Sequence, residues 1–320
     1  MKYNVLIIGA GNIGAFFDFP NSKYILTHAH AFSHHKGFKL LGFVDTNKPK
    51  AEQAAKLWSC NSFSNIEEAF SYSNIDVICV TVPDDEHLAV LKSIAAFPIK
   101  IVFLEKPISK SLSEAREIRS ICNYKNIEVI VNYSRRFVYE IEELKKNINI
   151  NKYGSYLTGT GYYGKGIFHN GSHLIDILRY FFGEIGINNI TNYVKDFDTY
   201  DKSVSAVLKL KNKKPFFLQA IDSRNYTIFE IDLLFEKGRI RIINSGNNIE
   251  EYKIHNNEIY KNYRNLYKTS EVKTSLNIAL FNAANNIYRH LTIQEEIKCT
   301  IKDSYLTLKM CDNLNRRIKE

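Results

Sequence analysis

Two short segments of the sequence carry side chains whose types and spacing could do chemistry. The first is Glu105-Lys106-Pro107, which follows a run at Ile99–Leu104 that is apolar except for Lys100 and predicts a buried strand. An ammonium at the carboxyl end of such a strand can hold a hydroxyl or carbonyl oxygen and stabilise negative charge on it. A surface lysine after a strand is the alternative, and spacing alone does not exclude it.

The second segment is Phe168–Asp176, which reads FHNGSHLID. Helical spacing predicts that His169 and His173 lie on one face, with Asn170 between them as a further substrate-binding candidate. Because histidine titrates near neutral pH, His173 suits a general base that takes an alcohol proton. Two histidines four residues apart could also bind a metal ion, or only cap and pack the helix.

Two arginines shortly after a predicted strand are candidates for anion binding. Arg135 and Arg136 could bind anionic groups of a substrate or form ion pairs between domains. The net charge of +9 is spread along the whole chain, so we expect no nucleic-acid partner. The densest run, Lys209–Lys214, predicts a solvated hairpin turn, although the excess charge could attract an anionic substrate.

The element that must bring a ligand to these side chains is the stretch Met1–Gly14, where the apolar run Val5–Ile8 leads into a GxGxxG pattern. The first glycine allows a tight turn, and the second leaves room for a pyrophosphate. The third lets the following helix approach the strand, with its N–H groups facing the phosphates. The predicted cofactor contacts in this turn are Gly9, Gly11, Asn12, Ile13 and Gly14.

An acidic residue at the end of the next predicted strand bears on the choice of cofactor. Asp45 should accept hydrogen bonds from the ribose hydroxyls and repel a 2′-phosphate, which favours NAD, although the nearby Lys48 keeps NADP possible. Asp45 lies 31 positions after Gly14 (45 − 14), whereas about 20 is usual. We assign the extra residues to an insertion, Phe16–Thr27. Pro20 would break a helix that ran through this segment, so the segment should loop out.

Neither the histidines near the N-terminus nor the cysteines predict a metal site. No set of cysteine or carboxylate ligands accompanies the histidines at positions 28, 30, 34 and 35, which predict a helix beside the pocket. The five scattered cysteines, without a CxxC pair, predict reduced thiols in a cytoplasmic protein. No apolar run approaches the ~20 residues of a membrane span, and the N-terminus does not resemble a signal peptide.

Alternating strands and helices predict an α/β fold with a doubly wound parallel sheet of the Rossmann type. We predict an NAD(P)-binding domain at residues 1–124 and an α+β domain for substrate binding and oligomerisation at 125–320. The second domain should hold a large, open, mainly antiparallel sheet. Its strand Tyr226–Phe235 is partly apolar on both faces, so we expect a homodimer or homotetramer through this sheet.

Taken together, these segments resemble the Gfo/Idh/MocA oxidoreductases, named for glucose–fructose oxidoreductase and inositol dehydrogenase. The resemblance implies a Rossmann domain, a C-terminal sheet domain and a nicotinamide cofactor between them. Substrates in the family are mostly sugars, cyclitols and sugar nucleotides. The motifs that carry the resemblance occur in order along the chain: GAGNIG at 9–14, Thr81-Val82-Pro83 with His87, Glu105-Lys106-Pro107, Asn132–Phe137 and Gly171–Asp176.

The resemblance also implies roles for individual residues. Lys106 matches the lysine that contacts the substrate hydroxyl and the nicotinamide ribose, and His173 matches the catalytic histidine. His169 stands where many members have aspartate, which an imidazole cannot replace in orienting a hydroxyl. Reaction direction and substrate therefore stay open. The residues that join the predicted cofactor contacts are Thr81, Pro83, His87, Glu105, Lys106 and Asn132.

Three functions are compatible with the resemblance. The first is hydride transfer to or from a sugar-type carbon, and the HNGSH variant is similar to members that modify sugars for bacterial surface polysaccharides. The second is glycosidic-bond cleavage by transient oxidation with bound NAD. The third is a nucleotide-binding sensor or scaffold that has lost chemistry.

Overall fold

The structure is a computed structural model that describes residues 2–210 and 213–318. The chain divides into two compact units, Met1–Phe137 with Asn277–Leu306, and Val138–Leu276 with Thr307–Glu320. The first contains a six-stranded parallel sheet and the second an eight-stranded, mostly antiparallel sheet. The predicted fold class is therefore confirmed.

The first unit is built on strands with apolar residues on both faces, as a sheet covered by helices on both sides requires. Its strand order is β3-β2-β1-β4-β5-β6. Because β1 is bordered by β2 on one side and β4 on the other, the ligand crevice is expected where these strands end. The elements are β1 (Tyr3–Ile8), α1 (His28–His34), β2 (Phe38–Val44), α2 (Lys48–Trp58), β3 (Asn61–Phe63), α3 (Ile66–Tyr72), β4 (Val77–Val80), α4 (His87–Ile94), β5 (Ile101–Leu104), α5 (Leu112–Lys125) and β6 (Glu128–Val131).

The first unit extends beyond the predicted boundary after residue 124. Strand β6 pairs in parallel with β5 and so completes the first sheet. A later helix, Ala279–Ile293, also belongs to this unit, and Asn282 just inside it donates a hydrogen bond to the carbonyl of Phe137. Local pattern does not reveal such a return, because the two segments are separated by more than a hundred residues.

The second unit is organised around an eight-stranded sheet with the order β14-β13-β12-β11-β7-β10-β9-β8, in which only β7 and β10 of the described strands pair in parallel. Glu236 and Lys237 form the hairpin turn that joins β11 to β12. The elements, with the helices that close the chain, are α6 (Tyr139–Asn149), β7 (Tyr156–Tyr163), α7 (Ser172–Phe182), β8 (Gly186–Val194), β9 (Ser203–Lys209), β10 (Pro215–Ala220), β11 (Phe229–Phe235), β12 (Gly238–Ile243), β13 (Asn248–Asn256), β14 (Arg264–Lys273), α8 (Ala279–Ile293) and α9 (Ile301–Arg316).

The two faces of the second sheet differ in character. Phe229, Ile231 and Leu233 of β11 are buried on one face. The other face carries charged residues that pair across strands, including Arg239 with Asp232. An oligomer through this sheet remains a prediction. Strand β14 was not predicted, because nearly every one of its residues is exposed and its sequence lacks an apolar alternation.

Two further expectations from the sequence concern single segments. The pairing of β9 with β10 fits the predicted hairpin at 209–214, although Lys211 and Asn212 lie outside the described residues. Within the described part of the chain, every helix is too short or too polar to span a bilayer.

Candidate functional site

The glycine turn after β1 is held against the segment that follows β4. Gly9 has a φ of +101°, and a Cβ there would lie 2.8 Å from the carbonyl carbon of Thr81. A Cβ on Gly14 would lie 2.4 Å from the Gly9 oxygen. The Thr81 hydroxyl donates to that same oxygen at 2.6 Å. These two positions therefore require glycine because the backbones approach so closely.

Gly11 differs from the other two glycines, because the nearest atom to a Cβ there would be 3.9 Å away. A side chain at this position would enter open space on the outside of the turn, which is where the predicted pyrophosphate would lie. Asn12 and Ile13 follow in a π-helical turn, Asn12–Phe16, in place of the predicted regular helix. The insertion begins where this turn ends, and the next helix starts only at His28.

The Asp45 carboxylate at the end of β2 is bound to the glycine turn itself. Its Oδ2 accepts the N–H of Ala10 at 2.7 Å, and its Oδ1 accepts the N–H of Asn47 at 2.8 Å. Sequence reasoning assigned Asp45 only to the ribose. The structure shows in addition that the carboxylate fixes the turn beside which a ribose would bind.

A largely buried carboxylate lies immediately before the candidate lysine. Oε1 of Glu105 accepts hydrogen bonds from Nε2 of His28 at 2.7 Å and from Nδ2 of Asn132 at 2.6 Å. Burial favours a raised pKa for Glu105, but the bond and charge of His28, the bond from Asn132 and the charge of Lys106 outweigh it and lower that pKa. Glu105 therefore stays ionised near neutral pH. Lys106, half-buried, follows at the end of β5.

The polar groups at the carboxyl ends of the strands in the first unit fit a dinucleotide. Besides the open space at Gly11, Oδ1 of Asn132 is a buried acceptor without a hydrogen-bond partner among the described residues. A carboxamide or ribose hydroxyl would supply the missing donor. Asp45, the glycine turn and Asn132 would thus hold the adenosine end, the phosphates and the nicotinamide end, respectively.

His87 is buried between the segments that follow β4 and β5. It has no exposed surface, and its ring nitrogens lie 3.1 Å from the Val82 carbonyl and 3.2 Å from the Ile108 carbonyl. Burial lowers its pKa and keeps the ring neutral. Pro83 lies in the segment after β4, and the neutral His87 ring can donate to only one of the two carbonyls. The contact of His87 with the cofactor stays a prediction.

The two arginines lie in the first unit, where Arg136 has a structural role. Arg136 is buried, pairs with Asp303 at 3.3 Å and donates to the Lys298 carbonyl at 3.2 Å. Of the two alternatives for Arg136, the ion pair is therefore observed, but it lies within one unit. Desolvation lowers the pKa of Arg135 to about 10, and its role in substrate binding remains a prediction.

The second group of candidates lies in a turn after β7 that two aspartates hold by its backbone. Asp201 accepts the N–H groups of Phe168 at 2.8 Å and His169 at 2.9 Å. Asp196 accepts the N–H of Lys165 at 2.7 Å. A Cβ on Gly166 would lie 2.2 Å from the Asp201 carboxylate, so the turn requires glycine there. Sequence reasoning missed both aspartates.

The side chains of this turn are arranged differently from the prediction. His169 lies in a π-helical turn that precedes α7, whereas His173 lies in the first turn of α7, so regular helical spacing does not relate them. The exposed His169 ring packs on Phe197, with centroids 4.6 Å apart. Asn170 donates to the Gly164 carbonyl at 3.0 Å. His173 is half-buried.

The histidine-rich segment forms part of a helix, as predicted, and its rings have separate partners. His30 Nδ1 lies 2.7 Å from Asp18, and His35 packs between Phe281 and Tyr288. Across residues 2–210 and 213–318, no group of three or more histidine, cysteine or acidic side chains could hold a metal ion.

Comparison with known proteins identifies the first unit. Residues 3–133 match the model of the oxidoreductase family GFO_IDH_MocA, NAD-binding Rossmann fold. A glucose-6-phosphate 3-dehydrogenase from Bacillus subtilis is 28% identical over 153 residues, which are 48% of this chain and 39% of that protein. The chain spans about half or less of the length of the curated relatives it matches.

Solved structures extend the likeness in fold to nearly the whole chain. The UDP-N-acetylglucosamine 3-dehydrogenase GnnA from Acidithiobacillus ferrooxidans has a TM-score of 0.76 at 13% identity, covering 99% of this chain and 98% of that one. The WlbA dehydrogenase from Bordetella pertussis, in complex with NADH and UDP-GlcNAcA, has a TM-score of 0.79 at 16% identity, covering 99% and 95%. Residues 3–133, which include the glycine turn, Asp45, Glu105 and Asn132, therefore form a Rossmann unit that matches the NAD-binding model of the Gfo/Idh/MocA oxidoreductase family.

Proposed function

We propose that the protein is an NAD-dependent dehydrogenase or reductase that transfers hydride between nicotinamide and a carbon bearing a hydroxyl or carbonyl group. The observation that carries the proposal is the ionised Glu105 held beside Lys106 at the end of β5. This places an ammonium at the strand edge where such sheets bind ligands. When bound, NAD supplies the hydride acceptor, or NADH the donor.

In the proposed mechanism, Lys106 polarises the reacting oxygen of the substrate and stabilises negative charge on it. His173, at the start of α7, exchanges the proton of the same hydroxyl. His169 and Asn170 orient the sugar ring, and Arg135 binds an anionic group.

The substrate we propose is a sugar, cyclitol or sugar nucleotide. Support comes from the relative named glucose-6-phosphate 3-dehydrogenase and from the fold neighbours named for UDP-N-acetylglucosamine or bound to UDP-GlcNAcA. The net charge of +9 favours an anionic substrate of this kind. We place the reaction among those that modify sugars for bacterial surface polysaccharides, in a homo-oligomer formed through the second sheet.

The deciding experiment follows NADH formation and consumption with a panel of hexose phosphates, UDP-sugars and cyclitols, together with their keto forms. An absorbance change with any of them supports the proposal. NAD binding without an absorbance change would instead favour a sensor or scaffold. Cleavage of a glycoside without net NADH formation would favour an NAD-dependent glycosidase.

A further inference from the structure

We propose that His28 is a positioning residue, which holds the Glu105 carboxylate and through it sets the position and charge environment of Lys106. The inference deepens the proposed function and rests on it, since Lys106 is there the residue that contacts the substrate. It gives a role to the first helix and to the insertion before it.

The contact between His28 and Glu105 is buried and closely fixed. His28 is 0% exposed, and its ring packs on Phe103 of β5 with centroids 4.7 Å apart. The imidazole thus lies against the same strand whose end it holds by the 2.7 Å contact with Glu105. Asn132, at the end of β6, donates to the same oxygen at 2.6 Å. The carboxylate is held from a helix and from a neighbouring strand.

Glu105 is coupled to the next residue by charge. The positive charge of Lys106 is among the causes that keep the Glu105 carboxyl ionised. By Coulomb's law the attraction acts on both partners, and the two residues are neighbours at the end of β5. Displacing Glu105 would therefore move the backbone from which Lys106 extends and change the charge beside its amine.

The insertion fixes the helix that carries His28. Oδ2 of Asp18 accepts the N–H of Leu26 at 2.6 Å and lies 2.7 Å from Nδ1 of His30. Its Oδ1 accepts the hydroxyl of Thr27 at 2.5 Å, and that hydroxyl in turn caps α1. A seven-residue helix is too short to be stable alone, so these bonds fix the start of α1, where His28 stands.

The test compares two substitutions of His28 by the acylation rate of the Lys106 amine, measured at fixed pH by peptide mass spectrometry. Lys110, exposed in the same segment, is the internal standard. His28→Leu removes the donor, and we expect Lys106 to be acylated several-fold faster relative to Lys110. His28→Gln keeps an N–H donor, so we expect the wild-type ratio.

Phe32→Leu is the matched control for a merely structural effect. Phe32 lies in the same helix, is 0% exposed and packs against Phe103, but it does not hold Glu105. An unchanged ratio in His28→Leu, an equal change in Phe32→Leu, or failure of His28→Gln to keep the wild-type ratio would each overturn the inference. If His28→Leu does not fold, Glu105→Gln must change the ratio, and no change there would overturn it.

This readout separates the inference from the proposed function, because acylation requires no turnover. If a substrate is found, His28→Leu should lower kcat by up to about 10²-fold, the scale of a 1 Å misplacement, with little change in the KM for NAD. A wild-type protein without any turnover, whose Lys106 acylation still depends on His28, would refute the function and support the positioning role.

Discussion

The two groups of candidate residues are held in place by different kinds of contact. In the first unit, side chains hold a side chain: His28 and Asn132 converge on the Glu105 carboxylate. In the second unit, Asp196 and Asp201 hold the backbone N–H groups of the turn that carries His169. The arrangement around Glu105 depends on the side-chain type of each partner. The bonds to Asp196 and Asp201 fix the backbone of the turn and constrain its side chains less.

This difference bears on which part of the site tolerates change. A turn held by its backbone does not depend on the residue type at position 169, because the bonds that Asp201 accepts there come from backbone N–H groups. A change at Glu105, His28 or Asn132 leaves a buried polar partner unsatisfied and is costly. We therefore expect substrate preference to depend on the second group and cofactor geometry on the first.

The largest effect is expected from Lys106→Met, which keeps much of the side-chain volume and removes the ammonium. Loss of a group that stabilises charge on the reacting oxygen costs on the order of 10²–10³ in kcat, with NAD affinity nearly unchanged. Steady-state kinetics and calorimetric titration with NAD measure the two quantities. Lys110→Met, an exposed lysine in the same segment, is the control. Undiminished turnover in Lys106→Met would remove this lysine from the mechanism.

The second prediction concerns the backbone-held turn. Asp201→Ala leaves the N–H groups of Phe168 and His169 without their charged acceptor, which should lower the stability of the second unit by about 2 kcal/mol. Thermal unfolding with and without the substitution measures the loss. Asp198→Ala, in the same loop, removes only solvent-exposed bonds from the Tyr200 N–H and the Thr199 hydroxyl, so it should lower the stability less. Equal unfolding of both variants would show that Asp201 does not hold the turn.

The sequence predicted those parts of the site that depend on local backbone geometry. A GxGxxG pattern after an apolar strand imposes its own turn, and the close approaches at Gly9 and Gly14 are the physical reason. The burial of His87 also has a local signal in the sequence. His87 shares with Leu91 and Ile94 the i, i+4, i+7 spacing of a buried helix face.

The contacts that hold Glu105 could not be predicted in the same way. His28 and Glu105 are 77 residues apart, and the insertion conceals the relation of α1 to the glycine turn. Asp201 lies in a polar loop where the sequence gives no sign of which carboxylates face inward. In both cases the partner is chosen by the packing of distant segments, which one sequence does not reveal.

The third prediction tests cofactor preference in the first unit. Asp45→Asn removes the charge that would repel a 2′-phosphate and keeps an acceptor for the glycine turn. We expect the ratio of NADP to NAD affinity to rise about tenfold, equivalent to about 1.4 kcal/mol. Calorimetric titration with both cofactors measures the ratio. Lys48→Ala should lower NADP affinity if that lysine assists binding. An unchanged ratio of NADP to NAD affinity in Asp45→Asn would show that Asp45 does not determine the cofactor preference.

The smallest effect is a pH dependence that arises from Glu105. A carboxyl whose pKa is lower in the folded state stabilises the fold above its unfolded pKa of about 4.3. That contribution disappears as the pH falls through the folded value. Glu105→Gln should therefore have a lower Tm than wild type near neutral pH, and the difference should shrink below about pH 4.

Asp196 in the second unit serves as the matching case. Burial favours a raised pKa for Asp196, but bonds from the turn backbone and from serine hydroxyls outweigh it and lower that pKa. Asp196→Asn should show the same sign of pH dependence. Its contribution, however, should be independent of His28, whereas that of Glu105 should be largely lost in His28→Leu. Thermal unfolding of Glu105→Gln and of Asp196→Asn, each combined with His28→Leu, across this pH range distinguishes these cases. Equal behaviour in the His28→Leu background would mean that the two carboxylates are held in the same way.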